Sequence, residues 1–309
     1  MLQFPPNYFQ DETRDNFHIE AMMKCAWGAQ QEMLEILREL CQKHQITYFA
    51  DWGTLLGAVR HEGYIPWDDD VDVCMMRPDY ERFLEIASHE LPGECHVISE
   101  YSSDLYEMPF ARMVNADTIS YSAERLQQFH GFPYVVGLDV FPLDMLPEEK
   151  EAEETQCRIF TTLLSNVQQC REHLDEVTAR LPQLEQLCGL HFDQNKSVKN
   201  QLLRTITKVC TQYNDTDSPY MTNFTFHIKR RRYLRREWYR DTVWLPFENV
   251  MVPAPIDYKA VLAELYGSDY MVPQIHNYHE YPFYQKQYDM LVEALVAGRT
   301  AEGIKPDVF

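Results

Sequence analysis

The most restrictive feature of the sequence is a run of aspartates directly before a short apolar segment. Asp68, Asp69, Asp70 and Asp72 precede an apolar run at 73–76. A short apolar run bounded by polar residues predicts a buried strand. Ionised carboxylates beside a buried strand cost several kcal/mol each unless a cation or basic side chains compensate them. The fold must therefore bring positive charge to this acidic edge.

The spacing of the aspartates predicts which of them cooperate. Successive side chains of a strand alternate between its faces, so Asp70 and Asp72 are expected to point the same way. Two such carboxylates can share one or two Mg²⁺ or Mn²⁺ ions, which favour carboxylate and phosphate oxygens. The alternative is a solvated acidic turn or a weak Ca²⁺ loop, although the residue order of an EF-hand loop is absent. The pattern favours a metal site.

A small-residue turn lies upstream of the acidic run. Gly53 and Thr54 follow an apolar, strand-like run at 46–50 and precede a short helical pattern at 55–60. At a strand-to-helix turn, backbone amides and a hydroxyl can approach a phosphate closely. The alternative is a glycine needed only for packing.

Three blocks of the sequence resemble the LicD family, which belongs to the DNA polymerase β-like nucleotidyltransferase superfamily. The segment GTLLGAVRHEGYIPWDDDVDV at 53–73 resembles the family signature. The segment GLDVFPLD at 137–144 resembles the strand that carries the third carboxylate, and residues at 247–273 resemble the C-terminal region. The resemblance spans roughly residues 45 to 275, and the part from about 150 to 220 matches no family segment.

The resemblance implies the fold class and the domain organisation. We expect an α/β (α+β) protein with a nucleotidyltransferase-like mixed sheet, flanked by helices and extended by additional helical segments. We predict a catalytic core with an N-terminal helix at 1–147, a helical insertion at 148–220 and a C-terminal region at 221–309 that completes the fold.

The resemblance also implies a metal-dependent transferase. It would move phosphocholine, or a related alcohol phosphate, from CDP-choline or another CDP-alcohol to a hydroxyl of a cell-surface glycan or its precursor, such as lipopolysaccharide or teichoic acid. Asp70, Asp72 and Asp139 would be catalytic, and the same three with Asp68 would bind Mg²⁺ or Mn²⁺. The alternatives are a nucleotidyltransferase that transfers a nucleoside monophosphate and a catalytically silent nucleotide-binding protein.

The residues predicted to bind the donor are Gly53, Thr54, Arg60, His61 and Arg112. Arg112 is isolated in an apolar strand, where it would pair with a phosphate or neutralise the acidic cluster.

Asp139 lies alone in an apolar run at 135–141 and therefore needs a partner. A metal shared with Asp70 and Asp72 would supply one, and a role in capping or bracing the strand is the alternative.

Charge bears on the partners of the protein. A formal net charge of -20 argues against nucleic acid, whose phosphates are bound by clustered basic residues. One local exception is the basic cluster, defined as Lys229, Arg230, Arg231, Arg232, Arg235, Arg236 and Arg240. It would bind a donor diphosphate, an anionic glycan acceptor or an anionic membrane surface, or it is a solvated helix face.

Cysteine usage and hydropathy indicate the compartment. The 8 cysteines lack C-x-x-C spacing and are expected to be small core residues in a reducing environment. No apolar run reaches the ~20 residues of a membrane-spanning helix, and the first residues lack the pattern of a signal peptide. We expect a cytoplasmic location without a transmembrane segment, and contact with a membrane surface stays open.

Periodicity predicts the remaining elements. Pro182 and Gly189 are expected to break the helical part at 148–213. The predicted helices are 18–43, 55–60, one that starts at Pro78 and ends before Pro92, and 256–266. The further predicted strands are 96–99, 110–114, 118–121 and 134–141, with a short strand-like piece at 244–252, and the tyrosine-rich stretch at 269–288 is predicted to be irregular.

Overall fold

The computed structural model describes residues 1–102, 106–193, 195–275 and 281–306. The strands are β1 (Glu12–Arg14), β2 (Phe17–Ile19), β3 (Phe49–Ala50), β4 (Asp72–Met76), β5 (His96–Ile98), β6 (Ala111–Val114), β7 (Gly137–Met145), β8 (Tyr220–Thr222), β9 (Leu234–Arg235), β10 (Thr242–Phe247) and β11 (Val250–Pro255). The α-helices are α1 (Ala21–His44), α2 (Trp52–Arg60), α3 (Arg77–Glu90), α4 (Ala123–Gln128), α5 (Lys150–Gln169), α6 (Leu174–Cys188), α7 (Val198–Cys210), α8 (Phe224–His227), α9 (Tyr258–Tyr266) and α10 (Gln285–Val296). Two short 3₁₀ helices span Thr211–Tyr213 and Arg236–Tyr239.

The central sheet is mixed, as predicted from the sequence. Its strands lie in the order β3-β4-β7-β6-β5, and β8 and β9 extend it from β7. The β4–β7 pair is parallel, and the other neighbouring strands are antiparallel. Helices flank this sheet, so the predicted class of a mixed α/β protein with additional helical segments is confirmed.

The register of the central strands positions the predicted site residues. Asp72 at the start of β4 is the partner of Asp139 on β7, and Asp139 is in turn the partner of Arg112 on β6. Asp70 is exposed and precedes β4, whereas Val71 and Val73 are buried. The strand predicted at 73–76 is thus present, and it begins one residue earlier, at Asp72, the last aspartate of the acidic run.

The first helix starts later than predicted. His18 belongs to β2, which pairs with β1 in a hairpin, and α1 begins only at Ala21. Asp15 and Asn16 form the two-residue turn with positive φ angles of 48° and 62°, which is the backbone conformation that tight hairpins require. The short polar turn therefore overrides the helical periodicity at 18–20.

Three other predicted elements differ in the structure. The predicted strand at 118–121 is absent, because Ile119 exchanges backbone hydrogen bonds with the C-terminal residues Gly303 and Ile304 instead of with the sheet. Pro182 lies inside α6, and only Gly189 ends that helix, with a φ of 66°. The predicted irregular stretch at 269–288 ends at Tyr284, because α10 begins at Gln285, and its residues 276–280 lie outside the described residues.

Among the described residues, two large hydrophobic clusters form most of the interior, and a small third one consists of Ile98, Tyr106, Val114 and Val135. The larger one packs the central sheet against α1, α2 and α3. The second is built by α5, α6 and α7, together with Leu146 and Phe224. The predicted boundaries at 147 and 220 stay a prediction, and the second cluster, which lies mostly but not wholly within 148–220, is compatible with them.

Six of the eight cysteines are buried, which agrees with their predicted role as core residues. None of the helices in the described ranges combines the length and the apolar composition needed to cross a membrane.

Candidate active site

A cavity of about 830 Å³ opens beside the acidic strand, and we call it the central cavity. Asp68, Asp70 and Asp72 contribute carboxylates to its lining, as does Asp269. Its other lining residues are Trp52, Gly53, Leu56, Arg60, Ile65, Trp67, Phe226, Lys229, Arg230, Arg232, Leu265, Tyr266, Tyr270, Val272 and Gln274.

The first turn of α2 braces the acidic strand. The carboxylate of Asp51 caps this helix by accepting from the Trp52 amide at 3.0 Å, and the Thr54 hydroxyl oxygen accepts from the Asp72 amide at 2.8 Å. A Cβ at Gly53 would lie 2.3 Å from the Asp68 carboxylate, so only glycine allows that approach. The glycine therefore has a packing role, and phosphate contacts by Gly53 and Thr54 stay a prediction.

The carboxyl groups crowd one another. Burial, reinforced by Asp70, raises the pKa of Asp68 well above its usual range and that of Asp69 to about 7. Burial also raises the pKa of Asp72, with contributions from Asp70 and Asp139. Each shift means that the charged form is disfavoured without a nearby cation.

The donor set fits a hard divalent cation. The Asp68 Oδ1 atom is buried and has no hydrogen-bond partner among the described residues. Asp68 and Asp70 are hydrogen-bonded to one another and line the same cavity as Asp72. Clustered carboxylate oxygens with unsatisfied acceptor capacity are the ligands that Mg²⁺ and Mn²⁺ prefer. Asp69 differs, because its carboxylate accepts from the Phe283 amide at 2.5 Å.

Asp139 and Arg112 are partners of one another. Arg112 donates from Nε to Asp139 Oδ1 at 2.5 Å and from Nη2 to Oδ2 at 2.8 Å. Asp139 therefore does not depend on a metal for compensation, contrary to the argument from its isolation in the sequence. Neither Arg112 nor Asp139 is among the described residues that line the central cavity. Their roles as metal and donor ligands stay predictions.

Arg60 and His61 separate in the structure. Arg60 lines the central cavity and donates to the Tyr270 carbonyl at 3.0 Å. His61 lies 3.1 Å from the Asp15 carboxylate on the β1–β2 turn, and burial lowers its pKa. Arg60 is thus positioned to meet a ligand in the cavity, whereas His61 contacts the N-terminal hairpin.

The basic cluster divides into separate environments. Lys229, Arg230 and Arg232 line the central cavity, and the buried Nε of Arg232 has no hydrogen-bond partner among the described residues. Arg231 contacts Cys157 and Glu153 on α5 instead. Arg240 pairs with Asp257. Positive charge thus reaches the acidic edge from a distant part of the chain.

Sequence reasoning did not find the aromatic part of the cavity. The rings of Trp52, Phe226 and Tyr266 lie together there, although they come from α2, α8 and α9. No local sequence pattern predicts that these three rings lie together, because the residues are far apart in the sequence.

A carboxylate set and a cationic segment line one cavity, and this combination is compatible with an anionic ligand bound together with a divalent cation. Residues 45–146 match the family model described as LicD/FKTN/FKRP, nucleotidyltransferase domain. Residues 45–146 are therefore similar to the LicD-family nucleotidyltransferase domain, as the sequence motifs predicted.

Individual relatives extend this similarity. The chain is 26% identical over 246 residues to a Haemophilus influenzae protein named lipopolysaccharide cholinephosphotransferase LicD, and the match covers 77% of this chain and 87% of that relative. Two uncharacterized proteins, from Rickettsia typhi and Rickettsia prowazekii, are 46% and 48% identical over 55 and 48 residues. Those two matches cover 18% and 16% of this chain and 18% of each relative.

Proposed function

We propose that this protein transfers phosphocholine from CDP-choline, or a related alcohol phosphate from another CDP-alcohol, to a glycan hydroxyl. The observation that carries the proposal is one cavity lined both by Asp68, Asp70 and Asp72 and by a cationic segment. A relative named as a lipopolysaccharide cholinephosphotransferase, matched over 87% of its length, supports the choice of group and acceptor.

Basic and acidic groups have complementary parts in the proposed reaction. Lys229, Arg230 and Arg232 bind the donor diphosphate through charge-assisted hydrogen bonds. Asp70 and Asp72, with Asp68, hold Mg²⁺ or Mn²⁺, and Asp139 stays a predicted further ligand. When bound, the metal polarises the phosphate and stabilises the departing charge.

The bonds balance as a single displacement. The acceptor hydroxyl oxygen forms a bond to the choline-bearing phosphorus, and the bond from that phosphorus to the CMP oxygen breaks. CMP leaves with the electron pair, and the hydroxyl proton passes to Asp68, Asp139 or water. A cytoplasmic location also belongs to the proposal.

Donor labelling tests the function. CDP-choline labelled in the choline methyl groups and, separately, in cytidine is incubated with the protein, Mg²⁺ and lipopolysaccharide. We expect choline label in the glycan and cytidine label in free CMP, with both lost in chelator. Asp72→Asn should lower turnover at least ~100-fold, since it removes a charge that stabilises the transition state. The matched control is Asp215→Asn at an exposed position, which should retain full activity.

Other outcomes identify other functions. Cytidine label in the glycan would identify a nucleotidyltransferase, which the description of the matching family model makes the second candidate. Binding of CDP-choline without any product would identify a silent binding protein. Full activity of Asp72→Asn would reject the acidic set as the catalytic site.

A further inference from the structure

One wall of the central cavity is aromatic. Trp52, Trp67, Phe226, Tyr266 and Tyr270 all contribute to its lining. The Trp52 ring lies 4.3 Å from that of Phe226, tilted by 51°, and 6.2 Å from that of Tyr266 in an edge-to-face arrangement at 82°. The Trp52 ring is thus inclined to both of these neighbours and is stacked on neither of them.

Trp52 occupies this wall at a cost to the backbone. Its φ angle is 39°, in a region that bulky side chains rarely adopt, and its buried indole Nε1 has no hydrogen-bond partner among the described residues. Such a conformation costs on the order of 1 kcal/mol or more, and strain of this kind concentrates at functional sites. Core packing alone would be satisfied by an unstrained residue at the first position of α2.

Acidic groups lie beside the rings. Tyr266 lines the same cavity as Asp68 and Asp72, and burial first and then these carboxylates raise its pKa well above its usual range. The Tyr266 side chain is nevertheless 38% exposed. Asp269 lies on the same wall, next to Tyr270. The negative ring faces, together with the Asp269 carboxylate, which is not one of the proposed metal ligands, make this part of the cavity favourable for a cation.

The chemistry of the wall selects a quaternary ammonium group. Such a group has no N–H to donate, so it is bound by ring faces and by long-range attraction to carboxylates. A pyrimidine base would stack on the same rings, but it is neutral and gains nothing from the neighbouring acids. A primary ammonium group would instead favour direct hydrogen bonds to carboxylates.

We propose that Trp52, Tyr266 and Tyr270 bind the trimethylammonium group of the donor and make the enzyme selective for choline. This inference rests on the proposed function, because it assigns one part of the same donor. The basic segment then meets the diphosphate, and the aromatic wall meets the cation at the other end of the transferred group.

An uncharged isostere of the donor tests the assignment. In CDP-3,3-dimethylbutanol a carbon atom replaces the quaternary nitrogen, so shape is kept and charge is lost. We expect wild-type kcat/KM to favour CDP-choline by about 2- to 30-fold or more, the range of one cation–π contact. Trp52→Leu and Tyr266→Leu should reduce this ratio, whereas Trp52→Phe and Tyr266→Phe should keep most of it because an aromatic face remains.

Matched controls use the same changes outside the cavity. Trp244→Leu on β10 and Tyr288→Leu on α10 replace exposed rings and should leave the selectivity ratio unchanged. Thermal unfolding of each variant confirms folding, and the wild-type comparison needs no variant at all.

The results separate the two proposals. Equal use of both donors by the wild type would overturn the aromatic assignment and leave the transferase intact. Equal losses with both donors in Trp52→Leu and Tyr266→Leu would assign the rings to base stacking or to packing and also overturn it. A wild type that transfers neither group would overturn both the function and the inference.

Discussion

Asp139 is held by Arg112 in a two-point ion pair between neighbouring strands. The Arg112 side chain is 29% exposed and the Asp139 side chain 14%, so solvent screens their attraction less than it would at the surface. Asp139 is also the register partner of Asp72 and contributes to the raised pKa of that group. Arg112 thus compensates the charge of Asp139 on the strand next to Asp72.

We predict that Asp139→Asn lowers the free energy of unfolding by about 1–3 kcal/mol, because it leaves Arg112 with a weakened partner. The loss should be equal with Mg²⁺ and with chelator in urea unfolding. Asp215→Asn serves as the exposed control.

A different dependence of the unfolding free energy on Mg²⁺ would support the predicted role of Asp139 as a metal ligand. If the variant unfolds like the wild type in chelator but loses only the stabilisation by Mg²⁺, the carboxylate is a ligand and the ion pair contributes little. An Arg112→Met and Asp139→Asn double-mutant cycle measures the coupling of the pair directly.

At the scale of elements, the segment that follows α8 gives the cavity its positive charge. Lys229, Arg230 and Arg232 line the central cavity, whereas Arg235 and Arg236 are not among its described lining residues. The basic cluster is therefore not one uniform surface. Only its first part is positioned to bind a donor diphosphate.

We predict that Arg230→Ser and Arg232→Ser each raise the donor KM about 10-fold or more, which corresponds to one lost hydrogen bond to a charged group. The salt dependence of the donor KM should flatten, because an exposed charge attraction is removed. Arg235→Ser and Arg236→Ser are matched controls that should change neither quantity. Effects of equal size in all four variants would assign the cluster to general electrostatic attraction.

The N-terminal hairpin is a second element with a defined charge network. Arg14 on β1 pairs with Glu12 and with Glu248, which lies in the two-residue turn between β10 and β11. Glu248 also accepts from the Tyr64 amide at 3.3 Å. The network joins two hairpins to the loop that leads into the acidic strand.

Hydrogen bonding by Arg14, followed by Lys24, lowers the pKa of Glu12 from 4.5 to about 2. A folded pKa below the unfolded one gives stability that is present above the unfolded value and is lost as the pH falls toward the folded value. We predict that Glu12→Gln destabilises the protein at neutral pH by no more than ~1 kcal/mol, since Glu12 is partly exposed to solvent.

Urea unfolding across a pH series checks the linkage of Glu12. The difference between wild type and Glu12→Gln should be constant at neutral pH and shrink as the pH falls below about 4.5. A difference that is independent of pH would show that Glu12 acts through shape instead of charge.

For the whole molecule, the central cavity is assembled from the acidic strand, α2, α9 and the segment after α8. A formal net charge of -20 repels a diphosphate at long range, so donor binding depends on the local cations and on metal. Binding at this cavity should consequently stabilise several distant parts of the chain together.

We predict that CDP-choline with Mg²⁺ raises the melting temperature by several degrees at saturation, because a ligand at 100 times its Kd stabilises by ~2.7 kcal/mol. The shift should fall in chelator and in Asp72→Asn, and choline chloride alone should produce little of it. An equal shift with and without Mg²⁺ would reject metal-assisted donor binding.

The sequence by itself determined the acidic edge, its short buried strand and the similarity of residues 45–146 to the LicD family. These follow from contiguous residues, since an apolar run beside clustered carboxylates is visible without knowing any distant contact. The mixed sheet and most of its strands were likewise predicted. Three predictions were wrong. A hairpin turn outweighed the helical periodicity at 18–20, and contact with Gly303 and Ile304 replaced the strand at 118–121. Pro182 lies inside α6 and does not break the helix.

The tertiary structure alone decided which side chains surround the carboxylates. Arg112 neutralises Asp139 because of a register between two strands, and register is set by pairing across the sheet. Arg232 reaches the cavity while Arg231 contacts α5, since neighbouring residues of an irregular segment point into different surroundings. Trp52 and Tyr266 meet for the same reason: packing joins residues that are distant in sequence, and no local pattern encodes that distance.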